Sequence, residues 1–154
     1  IPGAARTEIG RLVWAQGEAV EIYGVPQFLM SVVRMADINK TPDVRTRAIL
    51  PEWAAKVTFT FAKPNINEQT IANLFAAAGM IRGIGDWRQE KGSGNYGQFT
   101  LCAGPEDPAW DRIVKTQGRK AQETALAEPS FYDNETEQLT TGAISAPTVA
   151  RPGW

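Results

Sequence analysis

The sequence has no histidine and a single cysteine, and these absences exclude several kinds of catalytic site. Without histidine there is no Ser-His-Asp or Cys-His relay, no histidine pair of the kind many ribonucleases use, and no histidine-built zinc site. The lone Cys102 excludes an internal disulfide and a zinc site made of cysteines. We therefore expect a protein that is not an enzyme and that has no metal or cofactor.

Long hydrophobic runs and a large net charge are also missing. No stretch approaches the roughly 18 apolar residues of a membrane span, which favours a cytoplasmic protein. Sixteen Lys and Arg face seventeen Asp and Glu, so the net charge of −1 neither requires nor excludes a polyanionic partner. The charge is uneven, however, with a net of +3 over residues 34–91 and −3 over residues 102–154.

A strand followed by a helix gives the clearest pattern. Over residues 56–62 hydrophobic side chains alternate with threonines, which is typical of a half-buried strand. Asn67 is suited to cap a helix, hydrophobic residues then recur at helical spacing, and Gly79 is suited to end it. Residues 98–102 are predicted as the next strand, so we expect an α+β domain. The side chains expected to be buried between strand and helix are Val57, Phe59, Phe61, Ile71, Leu74 and Phe75.

The flanking segments give weaker patterns. Residues 19–25 and 28–35 are predicted as strands, with a short buried helix as the alternative for the second. Asp107 and Pro108 form a helix start, and the helix is expected to continue to Ala127.

The C-terminal residues differ in composition from the rest of the sequence. From Pro129 onward they are polar, acidic and contain proline, so they have little apolar surface to bury. We therefore expect a single α+β domain over residues 1–128 and an extended C-terminal arm over residues 129–154. Trp154 is the expected anchor of this arm on a neighbouring subunit.

A glycine-rich segment over residues 83–99 is the main candidate for a binding site. Its glycines allow backbone N–H groups to approach phosphates closely, and its basic side chains add positive charge. Its aromatic rings offer faces on which unpaired bases stack. The alternative is a hairpin-like connection whose aromatic side chains pack on the sheet. The candidate nucleic-acid contacts in this segment are Trp87, Arg88, Lys91, Gly92, Gly94 and Tyr96.

Two other motifs lack the context that their chemistry requires. Residues 92–97 spell G-x-G-x-x-G, but they follow a helix and enter a strand, the reverse of the order in a dinucleotide site. Residues 37–43 begin like a calcium loop. However, Pro42 occupies the position where such a loop has its turn glycine, and Ala48 occupies the position of the bidentate glutamate. Neither a nucleotide cofactor nor a metal is therefore expected.

The order of features over residues 56–102 resembles the RAMP superfamily. A helix ending in small residues is followed by Gly-Ile-Gly at 83–85, a basic segment, and G-x-G-x-x-G-x-F at 92–99 entering a strand. Members of this superfamily are RRM-like, ferredoxin-type RNA-binding subunits of CRISPR effector complexes. The resemblance implies an RRM-like or ferredoxin-like core with a glycine-rich loop and extended terminal arms. The protein lacks the histidine that many RNA-processing members use, so RNA cleavage is not implied.

Arg45 and Arg47 form a second candidate contact, because alternate residues of an extended segment share one face. Charged side chains on a solvated surface are the commoner explanation of such a pair. The Gly85–Arg88 run, with Trp53 upstream, is also similar to uncharacterised phage-encoded proteins. We expect a non-catalytic, phage-encoded protein that binds RNA or single-stranded DNA and assembles with copies of itself. The alternative is a viral structural or assembly protein, located in the virion, whose ordered arms join neighbouring subunits.

Overall fold

The computed structural model describes residues 9–34, 38–88, 94–102, 104 and 106–145, which form a mixed α/β structure. By its internal contacts the protein divides into two compact units. The first unit contains residues 1–21 and 55–111, and the second contains residues 22–54 and 112–154. This division falls inside the segment 1–128 that the sequence predicts as one domain.

The described strands pair in twos to form small sheets. The strands are β1 (Val13–Ala15), β2 (Ile22–Tyr23), β3 (Gln27–Arg34), β4 (Pro42–Ile49), β5 (Ala54–Ala55) and β6 (Phe59–Phe61). β2 pairs with β5, whereas β1 with β6 and β3 with β4 form antiparallel pairs. The helices with described bounds are α1 (Glu68–Ile81), α2 (Pro108–Thr116), α3 (Arg119–Ala127) and α4 (Asn134–Ser145).

The predicted start of the helix in the first unit is confirmed. The Asn67 side-chain oxygen accepts the N–H of Thr70 at 2.8 Å, so Asn67 caps α1. Phe59 of β6 packs on Phe75 of α1 with ring centroids 4.5 Å apart, as the alternating pattern implies. The other predicted core side chains are half-buried, and Val57, which precedes β6, is 39% exposed, so its predicted burial is wrong.

The end of α1 differs from the prediction, because Gly79 lies inside the helix. Gly83 takes the terminating role: its φ is +63° and its N–H donates to the C=O of Ala78 at 2.9 Å. Gly79 is buried, and its C=O accepts the N–H of Phe99 at 3.2 Å. The segment 98–102 contacts α1 in this way and is not a strand, so the strand predicted there is wrong. Backbone groups that bond to a helix are no longer available to a sheet.

In the second unit β3 and β4 form an antiparallel hairpin. The register runs from Gln27 opposite Ile49 to Arg34 opposite Pro42. The outer edge of β3 is covered by later residues, because the N–H of Phe28 donates to the C=O of Ser130 at 2.8 Å. The strand predicted from residue 28 is therefore confirmed as far as Arg34.

Thr136 of α4 continues the cover along the β3 edge. It is fully buried, and its hydroxyl oxygen accepts the N–H of Met30 at 3.1 Å. A side chain here replaces the backbone partner that a neighbouring strand would supply, so α4 is fixed to β3 by a directional bond.

The helix predicted from Asp107 to Ala127 is interrupted. Its start is confirmed, since a carboxylate oxygen of Asp107 accepts the N–H of Ala109 at 2.9 Å. Gly118 is extended and forms the N-cap of α3, so α2 and α3 are separate helices. Glycine costs about 0.5–1 kcal/mol in a helix interior, so Gly118 favours a break without requiring one, as Gly79 inside α1 shows.

A helix also occupies much of the segment predicted as an extended arm. A carboxylate oxygen of Asp133 accepts the N–H of Thr136 at 2.7 Å and caps α4. Hydrogen bonds from the side chain and the backbone of Thr136 lower the pKa of Asp133. Residues 146–154, including Trp154, lie outside the described residues.

Candidate nucleic-acid interface

The described part of the glycine-rich loop consists of residues 83–88 and 94–99, in the first unit. The N–H of Ile84 donates to the C=O of Gly97 at 2.9 Å, and the N–H of Tyr96 donates to the C=O of Trp87 at 3.3 Å. These bonds hold the two sides of the loop next to each other. The candidate residues on them are therefore brought together by backbone hydrogen bonds.

Gly94 is needed for this close approach. A Cβ at position 94 would overlap the backbone C=O of Trp87. Trp87 itself has φ of +55°, a conformation that non-glycine residues rarely adopt. Such conformations persist only where the surrounding structure holds them, and they are concentrated at functional sites.

The side chains on the loop that could contact a nucleic acid are two aromatic rings and one guanidinium group. Trp87 and Tyr96 stack with centroids 6.0 Å apart and an interplanar angle of 18°. Tyr96 remains 36% exposed. Nη1 of Arg88 donates to the C=O of Gly85 at 2.9 Å, which keeps the guanidinium on the loop. The loop candidates Lys91 and Gly92 lie outside the described residues.

Arg45 and Arg47 lie on β4, in the second unit, and form a candidate separate from the loop. Their alternation on one strand places them on one face, as predicted. Nε of Arg45 lies 3.4 Å from a carboxylate oxygen of Asp43, and Nη1 of Arg47 donates to the hydroxyl of Ser31 at 3.3 Å. Both arginines therefore have partners on their own hairpin, as residues of a solvated face often do.

A basic groove of about 670 Å³ lies in the second unit, and the sequence did not predict it. Its charged lining residues are Lys115, Arg119 and Lys120. The sequence signal was the helical spacing of Arg112, Lys115 and Arg119, which places them on one side of a helix, but such a stripe is more often a solvated face.

Arg112, which the helical spacing groups with Lys115 and Arg119, is engaged elsewhere. Its guanidinium donates to both carboxylate oxygens of Glu52, at 2.7 and 2.5 Å, and the amide of Gln117 donates to Glu52 at 2.9 Å. Hydrogen bonding to Arg112 lowers the pKa of Glu52, and the same contact raises the pKa of Arg112. This cluster joins two segments of the second unit and is structural.

Among the described residues no group of three or more Cys, Asp or Glu side chains is arranged to hold a metal ion. Within the same ranges no helix is both long and apolar enough to cross a membrane. No protein-family model matches the sequence, and no curated protein or solved structure matches it.

Proposed function

We propose that the protein binds single-stranded nucleic acid, RNA or DNA, through its glycine-rich loop, and that it does so without catalysing a reaction. The observation that carries the proposal is the exposed ring of Tyr96, stacked on Trp87 and placed on the same loop as Arg88.

The aromatic pair supplies a platform for an unpaired base. Trp87 supports Tyr96 from one side, so the Tyr96 ring loses little freedom when a base stacks on its exposed part. Stacking of a base on an aromatic side chain contributes about 1–3 kcal/mol and tolerates any sequence, because every base has a π face. Binding at this loop should therefore depend on the ring more than on base identity.

The charge of Arg88 supplies a contact for the phosphate backbone. Its guanidinium is positioned by the C=O of Gly85, and among the described residues no atom beyond the chain neighbours lies within 4 Å of a Cβ built on that glycine, so the backbone there is open to close approach. A cation that neutralises a phosphate releases a counterion, so binding should weaken as salt rises.

The RRM-like or ferredoxin-like arrangement, phage origin, cytoplasmic location and self-assembly are further parts of the proposal. Nucleic-acid binding by the loop is supported without them by the local geometry of residues 83–88 and 94–99. Arg45 and Arg47 are secondary phosphate contacts in the same proposal.

Fluorescence anisotropy with labelled oligonucleotides tests the proposal. We expect the full-length protein to bind a single strand of about 20 nucleotides more tightly than a duplex of equal length. Titrations between about 50 and 200 mM salt should give a negative slope of log affinity against log salt, and Arg88→Ala should reduce its magnitude by about 0.7.

Arg119→Ala is the matched control, since it removes the same charge from the basic groove of the second unit, which the proposal does not use. It should leave affinity and slope unchanged. Equal losses of oligonucleotide affinity in Arg88→Ala and Arg119→Ala would show that the loop is not the binding site. A protein that forms defined oligomers and ignores both oligonucleotides would favour the viral structural alternative.

A further inference from the structure

The two edges of the β3–β4 hairpin differ in their cover. On β3, the backbone groups of Phe28 and Met30 point away from β4 and bond to residues 130–132 and Thr136. The alternation of an antiparallel pair then directs the backbone groups of Val44 and Thr46 away from β3. Within the described ranges no residue hydrogen-bonds to those outward groups, and β4 has β3 as its one strand neighbour.

The β4 edge is only partly protected. Proteins usually shield an edge strand with charged side chains, proline, a bulge or a covering segment, and of these β4 has Asp43, Arg45, Arg47 and Pro42. β4 is eight residues long and has a proline only at its first position, Pro42. Val44 and its cross-strand partner Val32 are each 53% exposed, so an apolar patch lies beside the open edge.

We propose that β4 pairs antiparallel with β4 of a second copy of this protein, with Val44 opposite Val44, to form a sheet that spans two subunits. The β4–β4 pairing identifies the surface for the self-assembly that is part of the proposed function. The pairing does not depend on nucleic-acid binding.

Charge complementarity selects both the occupant and the register. With Val44 at the centre, Asp43 of each copy lies opposite Arg45 of the other, and opposite charges on directly facing residues stabilise a strand pair. The two Val44 residues exchange backbone hydrogen bonds, and the N–H of Thr46 reaches the C=O of Pro42 of the second copy. Pro42 lacks an N–H, but it stands where the register needs its C=O.

The neighbouring registers are disfavoured by like charges. Thr46 opposite Thr46 places Arg45 against Arg47, and Val44 opposite Thr46 places Arg45 against Arg45. Asp43 and Arg45 are 43% and 54% exposed at their side chains, so both are accessible to a second copy.

The test is the mass in solution, measured by sedimentation equilibrium on the full-length protein and on charge variants. The wild type should have the mass of a dimer. Asp43→Arg and Arg45→Asp should each fall to half that mass, because each variant faces itself with like charges. An equimolar mixture of the two variants should recover the dimer, and so should the double variant carrying both changes.

A second variant tests the hydrogen bonds without changing charge. Thr46→Pro removes an outward N–H, which an edge strand tolerates, and should give a folded monomer by circular dichroism. Thr46→Val keeps the N–H and should remain a dimer. A monomeric wild type, or charge variants that keep the wild-type mass, would overturn the proposal.

The outcome is separable from the proposed function. Monomeric Thr46→Pro should still bind a short oligonucleotide with the affinity of the wild-type subunit, since the loop lies in the first unit. A dimer that binds no oligonucleotide would leave the β4 interface standing and refute the loop.

Discussion

Replacing Gly79 by alanine should destabilise the protein, although this change inside a helix normally stabilises by about 1 kcal/mol. The added Cβ would lie 2.9 Å from the Phe99 ring and would overlap the Phe99 backbone C=O. Overpacking of this kind costs about 1–3 kcal/mol. The hydrogen bond from the Phe99 N–H to Gly79 would also be lost, at about 1 kcal/mol. Because the last cost offsets the gain in helix propensity, we expect a net loss of about 1–3 kcal/mol.

Gly142→Ala in α4 is the matched control, because within the described ranges no atom beyond its chain neighbours and the backbone of α4 lies within 4 Å of a Cβ built there. This variant should be stabilised by up to about 1 kcal/mol. Urea denaturation followed by far-UV circular dichroism compares both variants with the wild type. The two changes should shift the unfolding free energy in opposite directions. A Gly79→Ala protein that is as stable as Gly142→Ala would refute the packing of Phe99 on α1.

Three further predictions concern caps and the cover of β3. Asn67→Ala should lower the unfolding free energy by about 1 kcal/mol in urea titrations, whereas exposed Asn65→Ala should change it little. Thr136→Val should cost about 1–3 kcal/mol because the N–H of Met30 loses its partner, and Thr136→Ser should retain most of the stability. Asp133 has a folded pKa below its unfolded value of about 3.9, so its contribution is complete above that pH and is lost as the pH falls through the folded pKa. The stability difference between wild type and Asp133→Ala should therefore shrink in acid, and a difference that is constant with pH would contradict this assignment.

Features set by neighbouring residues could be predicted from the sequence. Asn67 and Asp107 each bond to an N–H two or three positions ahead, so the local pattern contains the whole interaction. The alternation of Arg45 and Arg47 likewise needs only an extended segment to place them on one face.

Features that depend on residues far apart in the sequence could not be predicted in this way. Gly79 has the position of a helix terminator in the sequence, but the helix continues through it to Ile81, and Gly79 instead contacts Phe99, twenty positions away. That contact also prevents residues 98–102 from forming a strand despite their strand-like composition, because strand propensity depends on which neighbours are available.

The candidate loop also has one feature that could be predicted from the sequence and one that could not. Its glycine spacing indicated close backbone approach, which Gly94 provides beside Trp87. The stacking of Trp87 on Tyr96 depends on how the two sides of the loop meet, which the spacing does not encode. The helix α4 was missed because its polar, acidic residues do not form an apolar stripe, and its stability depends on Asp133 and Thr136.

The most direct test of the proposed function is the affinity of Tyr96 variants for a labelled single-stranded oligonucleotide. Tyr96→Ala should bind about 5- to 150-fold more weakly than the wild type, which corresponds to the loss of one stacked base. Tyr96→Phe keeps the ring and should bind normally. Tyr132→Ala, which removes a tyrosine of similar exposure from the second unit, should also bind normally. Equal affinities for Tyr96→Ala and Tyr132→Ala would contradict the loop as the binding site.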